Sequence, residues 1–386
     1  MVSLQVLLGM RTIVSEKART RATMTIESTG SAHGPTAAGR TGGAEAGTTD
    51  KRQRRGDGRE HLMRSAWYER QGRADEVLIV GTMPDPEPGP GEVRIRVAAS
   101  GVNPGDVKKR RDEFSYGMPF PRVIPHSDGA GVVDRAGAGV PPARIGQRVW
   151  CYGAQTYRPY GTAAEYCVVP AVQAVPLPDV VSFEQGACLG IPGITAHRAL
   201  HVGGALAGRS VLVQGAAGAV GLCAVHLAVR AGATVIGVVR KPSDMAVVAG
   251  AGAQHVLVRS DSTTDEVRAL TPDGVYHIVD VAFGANAGLN SEVLAQGGSI
   301  AAFATDVAAP TVPFWPLLFK NVRIYLVGSD DVTQAAKVAA ATALSHALGD
   351  GWHGLPIAEC LPLHEIVRAH ELVEQHAPRG KVVLII

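Results

Sequence analysis

Seven residues, Gly215-Ala216-Ala217-Gly218-Ala219-Val220-Gly221, carry the clearest chemistry in the sequence. The glycines let the backbone approach a pyrophosphate. The free amides and the positive end of a following helix would then stabilise its negative charge. The spacing has this meaning only between a strand and a helix; elsewhere it is a tight turn with no ligand. Further on stands Arg240-Lys241-Pro242-Ser243, with no acid before Asp244. At the end of a second strand an acid would take a ribose 2′-hydroxyl, whereas Arg or Lys would take a 2′-phosphate. The pair points to NADPH, although two solvated basic residues would give the same letters.

The elements needed to hold these residues are legible. The apolar run over 211–213 reads as a buried strand before the glycines, and 220–231 reads as the helix after them. A strand at 234–239, a helix at 244–250 and strands at 255–258, 278–281 and 299–303 continue the alternation. Alternating strands and helices imply right-handed crossovers and a doubly wound parallel sheet covered on both faces. Before this region the texture is short strands. Val93, Ile95 and Val97 alternate with Arg94 and Arg96, which predicts a half-buried strand with both arginines outward, and Gly/Pro clusters punctuate the run. After it come helical patterns at 333–348 and 364–376 and a final strand at 382–386.

The chain has 386 residues, room for two domains, with 46% apolar and 19% charged residues. No charge-free apolar run reaches the roughly 20 residues of a membrane span. Residues 1–62 hold ten Lys/Arg against six Asp/Glu, which leaves a net −2 on the rest of a chain whose total is +2. That balance argues against a nucleic-acid surface on the folded part. Residues 1–62 are poor in large apolar side chains and are expected to be a disordered extension, with Met63 as the working start. Cys151, Cys167, Cys188, Cys223 and Cys360 show neither metal spacing nor a disulfide framework, so reduced thiols in a cytoplasmic protein are expected.

Taken in order, Met63-Arg-Ser-Ala-Trp-Tyr, Gly101-Val-Asn-Pro-Gly-Asp106, Ile124-Pro-His-Ser-Asp-Gly-Ala-Gly131, Gly146-Gln-Arg-Val149, Gly161-Thr-Ala-Ala-Glu-Tyr166, the 211–221 segment and Gly380-Lys-Val-Val-Leu384 resemble the medium-chain dehydrogenase/reductase superfamily, in its quinone oxidoreductase (zeta-crystallin-like) branch. The resemblance covers the chain from about Met63 to Ile386. It implies an α/β architecture: a GroES-like β-rich catalytic domain from residues 63–187 and 328–386, with a Rossmann NADP-binding domain over 188–327 inserted between.

The resemblance also sorts the site residues. In the zinc branch a cysteine stands where this chain has Asn103, and the ligand histidine would fall on Ser127, beside His126. Catalytic zinc needs about three Cys, His or carboxylate ligands. None is assembled here, so no metal is expected and His126 reads as a hydrogen-bonded structural histidine. Similar enzymes place the Asn-Pro-x-Asp segment against the nicotinamide, which brings Asn103 and Asp106 to the cleft. Asn103 would supply an amide donor, and Asp106 would act there or cap the loop. Tyr116 has the chemistry of a proton donor and is equally read as a plain tyrosine. Thr195, Phe283 and Phe303 are expected beside the nicotinamide, with His197 undecided. Lys381 would reach the cofactor phosphates or form a salt bridge at the domain junction. The function implied is zinc-independent hydride transfer from NADPH to a quinone or α,β-unsaturated carbonyl. The alternatives are an enoyl-thioester reductase and a non-catalytic NADPH-binding sensor or structural protein. A homodimer is expected through the strand near 322–327.

Overall fold

The structure, a computed structural model, describes residues 61–375 and 379–386. The expected extension therefore lies outside the described residues except for 61 and 62, and Leu62 already opens the first strand. Strands β1 (Leu62–Trp67) and β2 (Ile79–Pro84) pair antiparallel around a short helix α1 (Ala74–Val77). Then come β3 (Glu92–Val102), α2 (Pro104–Arg111), β4 (Asp128–Ala136), β5 (Arg148–Cys151), β6 (Tyr166–Pro170) and β7 (Ala174–Pro176). Helices α3 (Phe183–Gly186) and α4 (Gly190–His201) lead into an alternating stretch. It runs β8 (Ser210–Gln214), α5 (Ala219–Arg230), β9 (Thr234–Val239), α6 (Met245–Gly250), β10 (His255–Val258), α7 (Thr263–Leu270), β11 (Val275–Asp280), α8 (Phe283–Val293), β12 (Leu294–Ala302), α9 (Phe314–Phe319) and β13 (Arg323–Leu326). The chain closes with α10 (Gln334–Gly349), β14 (Ile357–Pro362), α11 (Ile366–Glu374) and β15 (Lys381–Ile385).

The alternating stretch forms a six-stranded parallel sheet in the order β10-β9-β8-β11-β12-β13. Numbered from β8 this is 3-2-1-4-5-6, the doubly wound order whose direction reverses between β8 and β11. Ligands bind at that switch point, beyond the carboxyl ends of the strands, and the glycine loop leaves β8 there. The other large sheet has seven strands, ordered β14-β15-β3-β4-β5-β7 with β6 also on β3. Strands β14 and β15 come from the far end of the chain, so this β-rich GroES-like unit is made from both ends. Strand β15 runs antiparallel to β3, with Val382 opposite Val102, and this register sets Lys381 beside Asn103.

Strand β3 shows why the pattern holds and where it fails. Val93, Ile95 and Val97 are buried and Arg96 is exposed, as alternation demands. Arg94, expected outward, is only 3% exposed. Its guanidinium bonds Asp134 at 2.6 Å and lies 4.4 Å from the Tyr166 ring centroid, so a carboxylate and an aromatic face replace water. One buried core continues from Trp150, Tyr152 and Leu189 to Val211, Val213, Leu222 and Leu344, joining the two sheets through α4, α5 and α10. Each such large side chain contributes about 2 kcal/mol on burial.

Candidate functional site

The glycine loop is built from backbone. Gly215 has φ +67°, a left-handed conformation that disfavours any side chain. A Cβ on Gly221 would lie 2.4 Å from the Gly215 carbonyl oxygen and 2.8 Å from Ala216, so only glycine allows α5 to sit this close to β8. The Ala216 amide is spent on the Val238 carbonyl at 3.0 Å, which ties the loop to β9. Gly218 caps α5, leaving Ala219, Val220 and Gly221 in the first turn, where amides have no intrahelical acceptor. A side-chain-free cradle with free amides at a helix start fits a dinucleotide pyrophosphate.

Past β9, Arg240, Lys241 and Ser243 are all exposed. Sequence reasoning missed a third cation here. Arg379, just before β15, donates to the Ser243 hydroxyl and carbonyl and pairs with Asp244 at 3.2 Å. Its only sequence signal was the basic letter before Gly380-Lys381.

On the other side of the junction the polar groups are buried side chains. Asn103 is 2% exposed and both ends of its amide are engaged. Its Nδ2 donates to Asp128 Oδ2 at 2.8 Å, and its Oδ1 accepts from Lys381 Nζ. Lys381 also donates to the Val102 carbonyl at 2.8 Å. Of the two expected settings, cofactor phosphates or a salt bridge at the junction, the Lys381 ammonium meets neither directly here: it is buried and donates to Asn103 and the Val102 carbonyl. Asp128 is fully buried and accepts the Ile191 amide at 2.9 Å, so one carboxyl holds both Asn103 and the first turn of α4. Gly190 is required beside it, since a Cβ there would stand 2.1 Å from Asp128 Oδ1. Burial pushes the Asp128 carboxyl up to about 7, against the pull of Lys381.

Asp106 takes the Asn103 amide at 2.8 Å and caps α2. Burial raises its pKa to about 6, with Lys109 the largest opposing influence. Of its two expected roles the structure places it in the capping one. Tyr116 is 42% exposed on the loop after α2 and stacks on Phe114 at 5.3 Å. Burial raises its phenol, keeping it protonated. Thr195 is buried on α4, and its hydroxyl donates to the Ile191 carbonyl at 2.6 Å. His197 stacks on His201 with centroids 4.2 Å apart, and burial lowers it to about 4. Phe303 is partly buried against the main core. Phe283 is 6% exposed and packs in the cluster of Leu212, Ile236 and Val293.

Among the described residues no group of three or more His, Cys, Asp and Glu side chains is placed to hold a metal ion. Ser127 keeps a buried hydroxyl with no hydrogen-bond partner. All five cysteines are unpaired, and Cys360 alone is exposed. No described helix is long and apolar enough to cross a membrane.

Two family models match the chain: the alcohol dehydrogenase GroES-like domain over residues 89–179 and the zinc-binding dehydrogenase over 219–341. The quinone oxidoreductase of Rattus norvegicus is 34% identical over 218 residues, 56% of this chain and 65% of that one. That of Lama guanicoe is 31% identical over 244 residues, 62% of this chain and 72% of that one. The alignment thus spans just under two thirds of the rat protein. A mycobacterial protein solved with NADPH superposes with a TM-score of 0.73 at 27% identity, covering 84% of this chain and all of that one. A structure described as an NAD-dependent alcohol dehydrogenase gives 0.75 at 27% identity with the same 84% coverage of this chain.

Proposed function

The chain belongs to the medium-chain dehydrogenase/reductase family, and we propose that it is a zinc-independent, NADPH-dependent reductase of quinones or α,β-unsaturated carbonyl compounds. The observation that carries this reading is the Asn103–Asp128–Lys381 cluster: Asn103, which stands where the resemblance puts a cysteine ligand in the zinc branch, has its amide held between a carboxyl and an ammonium. Likeness to quinone oxidoreductases and to an NADPH-bound neighbour supports it.

When bound, the reduced nicotinamide supplies the hydride. The amides at the start of α5 would hold the pyrophosphate, and Arg240 with Lys241 would take the 2′-phosphate. Asn103 keeps one Nδ2 hydrogen outside its bond to Asp128, and we assign it to the substrate oxygen on which negative charge builds. Lys381 on Oδ1 polarises that amide and strengthens its donor end. Tyr116 or water returns the proton. Buried small residues around Thr195 exclude solvent from the reacting face.

The full chain is to be assayed for NADPH oxidation against quinones and enones, with NADH in parallel and with a chelator. Turnover that prefers NADPH and survives chelation is expected, as is loss of most kcat in Asn103→Ala. Tight NADPH binding without oxidation would favour the non-catalytic reading, and loss on chelation would overturn the zinc-free one.

The assembly we propose is a homodimer. Strand β13 ends the parallel sheet, and beside it Phe314, Trp315, Phe319 and Leu326 are each at least 60% exposed. A two-fold axis would pair β13 with its copy antiparallel and cover these side chains. Leu326→Glu should give monomers in sedimentation; an unchanged mass would remove this interface. The unpaired cysteines suit a reducing compartment, for which we propose the cytoplasm.

A further inference from the structure

A chain of six hydrogen bonds crosses the GroES-like unit and is independent of the cofactor loop. Glu374 accepts from Arg110 Nη2, and Arg110 Nε bonds His370 Nδ1 at 3.3 Å. His370 Nε2 meets His126 Nε2 at 3.0 Å, and His126 Nδ1 meets Ser100 Oγ at 2.8 Å. Ser100 meets Thr162 Oγ1 at 2.8 Å, and Thr162 donates to the main-chain carbonyl of Asp128 at 2.7 Å. Arg110, His370, His126, Ser100 and Thr162 are all completely buried.

The chemistry of the two ends fixes every proton between them. A guanidinium can only donate, so His370 Nδ1 accepts. A neutral His370 then carries its hydrogen on Nε2 and gives it to His126 Nε2. His126 must carry its own hydrogen on Nδ1 and give it to Ser100, which gives to Thr162, which gives to the carbonyl. No link can be reversed without setting two donors or two acceptors face to face. The chain ends on a strained loop. His126 has φ +76°, a conformation rare for a residue with a side chain. The loop's carbonyls are laced to the next segment: Gly161 donates to Ile124 at 2.8 Å and Thr162 to His126 at 3.0 Å. A Cβ on Gly161 would lie 2.1 Å from the His126 oxygen.

We propose that His126 and His370 are positioning residues: an imidazole pair of opposite tautomers that holds His126 in its left-handed conformation and so sets residues 124–128, Asp128 among them, and through it Asn103. The importance of Asn103 rests on the function proposed above; the proton order does not. In this chain a directional hydrogen-bond spine does the work of fixing that loop, with Arg110 and Glu374 as its anchor on α2 and α11. At its inner end Lys381 on β15 acts on His126 through its charge, and Asp128 on β4 carries the carbonyl that ends the spine.

Nitrogen-15 spectra of the imidazoles in the full chain test the order directly. His370 should be protonated on Nε2 alone and His126 on Nδ1 alone, unchanged between about pH 6 and about pH 8. The same tautomer on both rings, or a charged ring, would overturn the proposal. Positioning is read from the Asn103 carboxamide resonances, assigned by their loss in Asn103→Ser. They should shift in His370→Phe and in the milder Ser100→Ala. They should return in His370→Gln, whose amide can accept from Arg110 and donate to His126. Resonances unmoved in both broken variants would overturn positioning. In turnover, Ser100→Ala should lower kcat about tenfold with little change in KM for NADPH. If the unmodified chain turns over nothing, the functional reading fails while both spectroscopic arms stand.

Discussion

The two sides of the domain junction solve the same problem with opposite materials. The loop between β8 and α5 is backbone and small residues: Gly215 in a left-handed turn, Gly221 against the Gly215 carbonyl, and amides left free by a helix start. The cluster in the GroES-like unit is built from three side chains, Asn103, Asp128 and Lys381, and the backbone amide of Ile191, joined from four separate stretches by hydrogen bonds. The first surface recognises charge by leaving groups unsatisfied. The second holds its groups by satisfying them among themselves. The difference predicts how each breaks: the first by added atoms, the second by a missing partner or a changed proton.

The largest effect is expected on the backbone side. Gly221→Val puts a branched side chain where even a Cβ lies 2.4 Å from a carbonyl oxygen. Overpacking of this kind costs about 3 kcal/mol, about a hundredfold in an equilibrium. NADPH titration should show at least that loss of affinity, and near-normal affinity would mean that the cradle is not the pyrophosphate site. On the side-chain side, Lys381→Met leaves Asn103 Oδ1 and the Val102 carbonyl without their donor and removes the cation nearest Asp128. Unsatisfied buried groups cost about 1–3 kcal/mol each. Urea unfolding should therefore show a loss of about 3 kcal/mol with NADPH affinity almost intact. If affinity falls with stability, Lys381 serves the cofactor after all.

The same contrast explains what could be read from the sequence. The alternation of strands and helices from 210 to 326 and the glycine motif are local patterns, and the parallel sheet and the strand–loop–helix setting of the glycines match them. The burial of Arg94 could not be read because its environment, Asp134 and Tyr166, comes from distant segments, as do the Leu212 and Ile236 that surround Phe283. The bonds of Lys381 to Asn103 and Val102 were not legible because only the register of β15 on β3 shows which way its side chain turns. His370 and Arg110 left no trace, since nothing near them in sequence announces that α11 and α2 meet around His126. Periodicity and turn chemistry are written within a dozen residues, whereas a buried network joins residues up to 264 positions apart.

The pH dependence of stability separates two buried groups of the second region by sign. His126 falls from 6.5 to about 3 through burial, with Lys381 adding to the effect. Its contribution is full above 6.5 and is lost as pH falls from there toward 3. Asp128 rises from 3.8 to about 7, again through burial. Its contribution is full below 3.8 and is lost as pH rises through 7. Asp128→Asn should therefore gain stability relative to the unmodified chain as pH climbs from about 4 to about 7, measured by urea midpoints. A parallel pair of curves would show that Asp128 is already ionised across that range.

The smallest effect is expected where the first region meets solvent. Arg240 and Lys241 are exposed, so their charges act through water and salt, and an exposed pair is typically worth about 1 kcal/mol or less. Replacing both with alanine should weaken NADPH by about fivefold to tenfold and leave NADH unchanged, because only NADPH carries the 2′-phosphate. Raising ionic strength should shrink the difference between the two cofactors in the unmodified chain and hardly alter the double variant. Equal weakening of both cofactors would mean that the two side chains touch the dinucleotide elsewhere. A preference that survives their loss would move the 2′-phosphate to Arg379, which already reaches Ser243 and Asp244 from the other domain. In that case even cofactor choice would depend on side chains brought from across the junction, and the backbone surface would govern the pyrophosphate alone.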